Sequence, residues 1–221
     1  MTLGTRFASA TKAFVVAALF VVAFAAPARA AAIIDFSTGY ALAGGGTLTV
    51  DKYGNVVGSG IAIDLLEVSG APTNNGTYDV DGAISLGGDT AAVLSFNTAN
   101  NWITIVGSVP GLVGNTTLLK GTVSSFDFDT GLFGLLGAFT ASGPDSKSPD
   151  LLTALGLATT TQFQYFGFSI GFDKNPFDGN QTYKVISADI VNTQVPEPAT
   201  LALLGAGLFG LAGAARRRFG R

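Results

Sequence analysis

Through the middle of the chain, short runs of apolar and β-branched residues alternate with clusters of Gly, Asn, Asp and Pro, and helical periodicity is almost absent. Residues 33–40, 47–53, 56–68, 76–80, 91–96, 102–109, 118–128, 162–172 and 182–191 read as strands. The last two show the clearest strand pattern. Phe163, Tyr165 and Phe168 begin an aromatic run, while Tyr183, Val185, Ile186, Ala188 and Ile190 interleave with Lys184, Ser187 and Asp189. Such alternation predicts strands with one buried face. Tyr53-Gly54-Asn55, Asn74-Asn75-Gly76, Asp81-Gly82, Gly87-Gly88-Asp89, Asn100-Asn101 and Asp178-Gly179-Asn180 supply the turns between them. The pattern predicts an all-β fold, an antiparallel β-sandwich or jelly-roll-like middle domain, because one open sheet of that many strands would leave long edges free to aggregate.

One short helix interrupts the strands. Ser148 is placed to cap it, Pro149 fits its first turn, Asp150 suits its positive end, and Leu151, Leu152 and Leu155 form an apolar face before Gly156. It is expected to plug one end of the sandwich. Residues 131–138, with Leu132, Phe133, Leu135 and Leu136 among glycines, read equally as a strand or as a hydrophobic loop.

Both ends depart from this pattern, because residues 13–26 and 199–215 are continuous apolar blocks. In front of the first stand Arg6 and Lys12, and behind it Pro27 and Ala28-Arg29-Ala30. Residues 1–30 therefore read as a secretory signal peptide, with Ala28 and Ala30 as the small residues of the cleavage site and cleavage after Ala30. An exported β-domain over residues 31–192 follows. The tail, residues 193–221, runs Pro196-Glu197-Pro198, then a helix of about 25 Å over residues 199–215, just long enough to cross a hydrocarbon core. Arg216, Arg217, Arg218 and Arg221 follow it as a cytoplasmic stop signal. The two prolines lack amide donors and hold their predecessors extended, so this strip stays outside the bilayer.

Charge divides along the same boundaries. The middle holds fourteen carboxylates against Lys52, Lys120, Lys147, Lys174 and Lys184, about −9, whereas the whole chain is only −3. Nucleic acid is not an expected partner of so acidic a domain. With no cysteine, an exported domain must rely on a packed core instead of disulfides. The lack of both Cys and His also removes triad hydrolases, cysteine enzymes and the usual zinc sites.

The remaining chemistry is sparse, and neither a catalytic residue nor a cofactor is expected. Ser146-Lys147-Ser148 is a serine–lysine juxtaposition beside a helix cap. Asp79/Asp81 and Asp127/Asp129 place paired carboxylates on one strand face, the minimum for glycoside hydrolysis, although strand ends collect Asp for structural reasons. Asp127, Asp129, Asp173 and Asp178 are the oxygen donors a calcium ion could use. Asn75, Asn115 and Asn180 each begin an Asn-x-Thr triplet in a turn. Thr47, Thr49 and Thr159-Thr160-Thr161 raise an ice- or carbohydrate-binding face, and Trp102, Tyr40, Tyr53, Tyr78 and Tyr165 are the aromatics such a module would expose.

Pro196-Glu197-Pro198, the apolar Gly-rich helix and the terminal arginine cluster together resemble the PEP-CTERM sorting tail of Gram-negative bacteria. That resemblance covers only the tail. It implies an inner-membrane exosortase as partner, removal of the helix, and delivery of the domain to the cell surface or extracellular polymer. The expectation is therefore a non-enzymatic surface or matrix protein of structural or adhesive role. It would meet the Sec machinery, signal peptidase, exosortase, the membrane through its C-terminal helix, and exopolysaccharide. A carbohydrate- or ice-binding module and a carboxylate-dependent polysaccharide-acting enzyme are the alternatives.

Overall fold

The computed structural model describes residues 31–39, 45–82, 84–86, 89–131, 136–173, 181–195, 205–208 and 210, the side chains of 84–86, 89, 164 and 165 excepted. Residues 30–195 form one compact unit and the two chain ends a second. Of the second, residues 205–208 and 210 are described, and they are helical. Among the described residues no helix is long and apolar enough to cross a membrane. The signal segment, the cleavage residues Ala28 and Ala30, and most of the span expected at 199–215 lie outside them.

The first unit is antiparallel β throughout. Its strands are β1 (Ile33–Ser37), β2 (Thr47–Val50), β3 (Val56–Ile63), β4 (Leu65–Ser69), β5 (Gly76–Asp79), β6 (Asp81–Gly82), β7 (Ile84–Leu86) and β8 (Asp89–Asn97). After them come β9 (Trp102–Ser108), β10 (Thr116–Gly121), β11 (Ser125–Asp129), β12 (Leu136–Gly143), β13 (Asp145–Lys147), β14 (Phe163–Asp173) and β15 (Thr182–Gln194). β8, β9 and β10 are successive neighbours, as are β11 with β12 and β14 with β15, and β2 pairs with both β3 and β15, so the sheet curls until its last strand meets an early one. Non-consecutive neighbours, β3 with β8, β10 with β13, β12 with β14 and β15 with β2, tie the chain into this one curled antiparallel sheet.

Two predicted strands are bent pairs. Residues 56–68 break at Asp64, whose carbonyl accepts the Val80 amide at 2.9 Å. Residues 118–128 turn a corner between β10 and β11, bridged to the returning β12 and β13 by Thr122 N to Pro144 O at 3.0 Å and Ser124 N to Ser142 O at 2.8 Å. Bending lets one strand serve two facing layers, as in orthogonal sheet packings. At the corner Gly143 is required, since a Cβ there would stand 1.8 Å from Thr122 O.

The layers meet through phenylalanine. Phe96 of β8 stacks on Phe139 of β12, centroids 4.8 Å apart, and meets Phe168 of β14 edge-on at 5.2 Å. These rings lie in one continuous core with Ile34, Phe36, Ile61, Leu94, Ile103, Phe166, Phe172 and Ile190. Burying each large apolar side chain contributes about 1.5–3 kcal/mol. A core of this size needs no disulfide.

The predicted helix, α1 (Pro149–Ala154), forms as its cap specifies: Ser148 Oγ accepts the Leu151 amide at 3.1 Å. Leu151, Leu152 and Leu155 are buried in the same core, while Asn74 Nδ2 donates to the Ala154 carbonyl at 3.1 Å. Of the ambiguous segment 131–138, residues 136–138 are strand β12, and 132–135 lie outside the described residues.

Candidate functional site

Strand β12 alternates buried and exposed positions, with Gly137, Phe139, Ala141 and Gly143 facing the core. The same parity carries past the Pro144 corner and turns Asp145 and Lys147 inward, leaving Ser146 outside. Gly121, cross-strand to Asp145, makes room for it, because a Cβ there would lie 3.0 Å from the Asp145 Cβ. Both ionic side chains are fully withdrawn from solvent and paired through Lys147 Nζ and Asp145 Oδ2. The ammonium also stands 4.9 Å from the Phe163 ring centroid and 6.0 Å from that of Phe36.

Burial outweighs attraction at this pair. Lys147 is pushed down to about 8 by desolvation, against the pull of Asp145, and Asp145 is raised by its own burial in spite of Lys147. Both shifts favour the uncharged forms, as expected when desolvation exceeds the Coulombic gain. Asp145 Oδ1 has no hydrogen-bond partner. A cavity of about 380 Å³ is lined by Leu152, Thr159, Thr160, Thr161, Gln162, Phe163 and residues 145–147, but the side chains of Asp145 and Lys147 have no surface open to it. The serine–lysine juxtaposition is not a nucleophile with its base: Ser146 Oγ donates to Lys120 O at 3.2 Å, Ser148 caps α1, and Lys147 is held by Asp145.

Carboxylates converge elsewhere than at the predicted pairs. Asp79 and Asp81 flank the buried Val80, and Asp81 Oδ1 accepts from Thr90 Oγ1 at 3.0 Å. Asp127 is exposed on β11, and Asp129 Oδ1 accepts the Gly131 amide at 2.7 Å, closing the turn. Asp173 ends β14 opposite Leu136. Among the described residues no three acidic side chains gather to hold a metal ion, and Asp178 lies outside them. On the outer face, Asp35 of β1 sits opposite Glu67 of β4 and one step diagonal to Asp189 of β15. Burial, then the hydrogen bond and charge of Asp189, then the charge of Glu67, raise Asp35 to about 7.

The aromatic candidates divide. Tyr53 is 77% and Trp102 38% exposed, whereas Tyr78 is half-buried with its hydroxyl donating to Asn74 O at 2.5 Å. Tyr40 and the Tyr165 side chain lie outside the described residues. Thr47 lies between Lys184 and Ser59 and Thr49 between Thr182 and Val57, so the threonine pair does not extend into a row, while the second threonine run lines the cavity. Asn75 turns its side chain back onto the Ala71 backbone, and Asn180 lies outside the described residues.

Strand β15 runs through Gln194, and the Val195 amide donates to Gln162 O at 3.0 Å. Pro196, Glu197, Pro198 and the arginines 216–218 and 221 follow, outside the described residues. Residues 194–218 match the PEP-CTERM protein-sorting motif, a span holding the Pro-Glu-Pro strip and Arg216, Arg217 and Arg218. The motif implies an exported protein sorted and processed by an exosortase. No curated protein and no solved structure matches the chain.

Proposed function

We propose that this exosortase substrate is a non-enzymatic component of the cell surface or extracellular matrix, whose acidic β-domain is delivered by its tail and then acts as a structural or adhesive element. The match to the sorting motif over residues 194–218 carries the reading. The motif starts where β15 ends, so a cut in the Pro-Glu-Pro strip would remove no residue of the described ladder. A central strand that finishes just short of the processing strip suits a domain that must stay folded after release.

The destination follows from the same arrangement. With an apolar helix gone and a net charge near −9, the released domain is soluble and repelled by anionic lipid headgroups. It would stay with the envelope only through a surface partner, for which exopolysaccharide is the expected class. Replacing Pro196, Glu197 and Pro198 by alanine tests the reading by fractionation of the native host. The variant should accumulate in the inner membrane and vanish from the surface and medium; an unchanged distribution would overturn it.

A further inference from the structure

The geometry points to an intramolecular amide cross-link between Lys147 of β13 and Asn192 of β15, formed with loss of ammonia and with Asp145 as the proton carrier. Such a link lies wholly inside the β-domain and is independent of where the tail sends it.

The core holds polar groups that the fold leaves unexplained. Among the described residues the buried polar or charged ones are Thr98, Lys147 and Asn192, and the Asp145 side chain is withdrawn with Lys147. Thr98 has a structural role, since its hydroxyl accepts the Val56 amide at 2.8 Å. Asn192 is only half satisfied. Its Nδ2 donates to Ile34 O at 3.1 Å and Ile190 O at 3.2 Å, whereas Oδ1 has no hydrogen-bond partner. Asp145 Oδ1 has none either. Buried acceptors without a donor are rare, and a protonated Asp145 would supply the donor that the asparagine carbonyl lacks.

Register brings the amine over the amide. Strand β15 lies between β1 and β14, with Phe36 of β1 opposite Ile190 and Phe163 of β14 opposite Gln194. Asn192 is the buried residue midway between those two positions. The Lys147 ammonium reaches across from β13 to within 6.0 Å of the Phe36 ring centroid and 4.9 Å of the Phe163 centroid. It therefore hangs over the stretch of β15 that carries Asn192, while Asp145 holds its nitrogen.

The chemistry balances without a co-reactant. Burial pushes Lys147 down to about 8 and raises Asp145, so the free amine and the undissociated acid are both favoured. Lys147 Nζ attacks Asn192 Cγ while the Asp145 carboxyl hydrogen-bonds Oδ1. The carboxyl proton passes to Nδ2, Asp145 recovers a proton from Nζ, and the Cγ–Nδ2 bond breaks as the Nζ–Cγ bond is made. Nδ2 departs as ammonia, Oδ1 stays as the carbonyl of the new amide, and nothing is oxidised or reduced. Holding the two groups in one site replaces a bimolecular encounter, and the lack of solvent at the pair removes competing hydrolysis.

The test is tryptic peptide mapping by mass spectrometry of the full chain, purified in detergent from a host without exosortase and denatured before digestion. An amidated Lys147 resists trypsin, so residues 121–174 should appear joined to residues 185–216, about 17 Da below the sum of the two peptides, one ammonia. Lys147→Arg, Asn192→Ala and Asp145→Ala should each give separate peptides. Cleavage after Lys147 with unlinked peptides in the parent would overturn the proposal. So would a loss of about 18 Da that joins Lys147 to Asp145, which is water and not ammonia. A link undiminished in Asp145→Ala would overturn the role of the proton carrier. The parent map decides by itself, whether or not a variant folds. Stabilities at the Asp145–Lys147 pair are compared in the Asn192→Ala background, where the pair persists unlinked.

Discussion

Replacing Asp35 by asparagine should stabilise the exported domain at neutral pH and leave it unchanged in acid. Asp35 faces Glu67 and Asp189 across two strand pairings, and its folded-state value lies at about 7 against an ordinary 3.8. A raised carboxyl contributes stability that is fully present below about pH 3.8 and lost as pH rises through about 7. The shift corresponds to about 4 kcal/mol at most. Because the carboxyl is only half-buried and water screens its neighbours, about 1–2 kcal/mol should be realised. Asparagine keeps the shape, cannot ionise, and can donate its amide to Asp189. Urea denaturation of residues 30–195 from pH 4 to pH 8 is the assay. The parent domain should weaken across that range, and the variant, equal to it near pH 4, should follow a flatter line that lies above it by neutrality. Parallel curves, or a variant weaker than the parent at pH 8, would refute a carboxyl raised by burial and by its acidic neighbours.

The buried pair and the packing give further expectations. Lys147→Met leaves Asp145 alone in the interior and should cost about 3–5 kcal/mol, whereas Asp145→Leu with Lys147→Met should fall within about 1 kcal/mol of the parent; equal losses in a urea double-mutant cycle would contradict a desolvated pair. Gly58→Ala should destabilise by about 1–3 kcal/mol, because the new Cβ would sit 2.1 Å from the Phe96 ring, and an unchanged melting temperature would show that the ring can yield.

Strand type was legible wherever inward positions were large. Residues 102–109 and 182–191 announce themselves because Ile103 and Ile105, or Tyr183, Val185 and Ile190, are bulky and buried. Beyond the ambiguous residues 136–138, β12 carried no strand signal because its inward positions include Ala141 and Gly143, and β13 none because its inward residues are Asp145 and Lys147. The smallness within β12 is imposed by neighbours: a Cβ at Gly137 would reach within 2.3 Å of the Phe172 ring. The bends at Asp64 and Pro144 were hidden for a related reason, since a strand that changes layer keeps its alternation through the corner.

The functional readings divide in the same way. The tail is a linear signal and is visible in order and composition alone. The cavity is not, because Asp145 and the threonine run are separated by α1 and come together only when the helix folds back on the core. Continuing the odd-numbered inward parity from Phe139 to Lys147 is the one sequence clue that could have exposed the buried pair. The Asp35 trio depends on pairing between β1, β4 and β15, and no local motif encodes it.

The central claim is that a lipid-stable tail carries this β-domain to a processing enzyme, and intact-mass determination of the mature protein tests it most directly, in hosts with and without exosortase. With the enzyme, the mass should correspond to a chain beginning at Ala31 and ending near the Pro-Glu-Pro strip, any attached sugar appearing as added mass. Without it, the same N-terminus should be joined to a chain complete through Arg221. One identical mass in both hosts, with the terminal arginines present, would contradict the account.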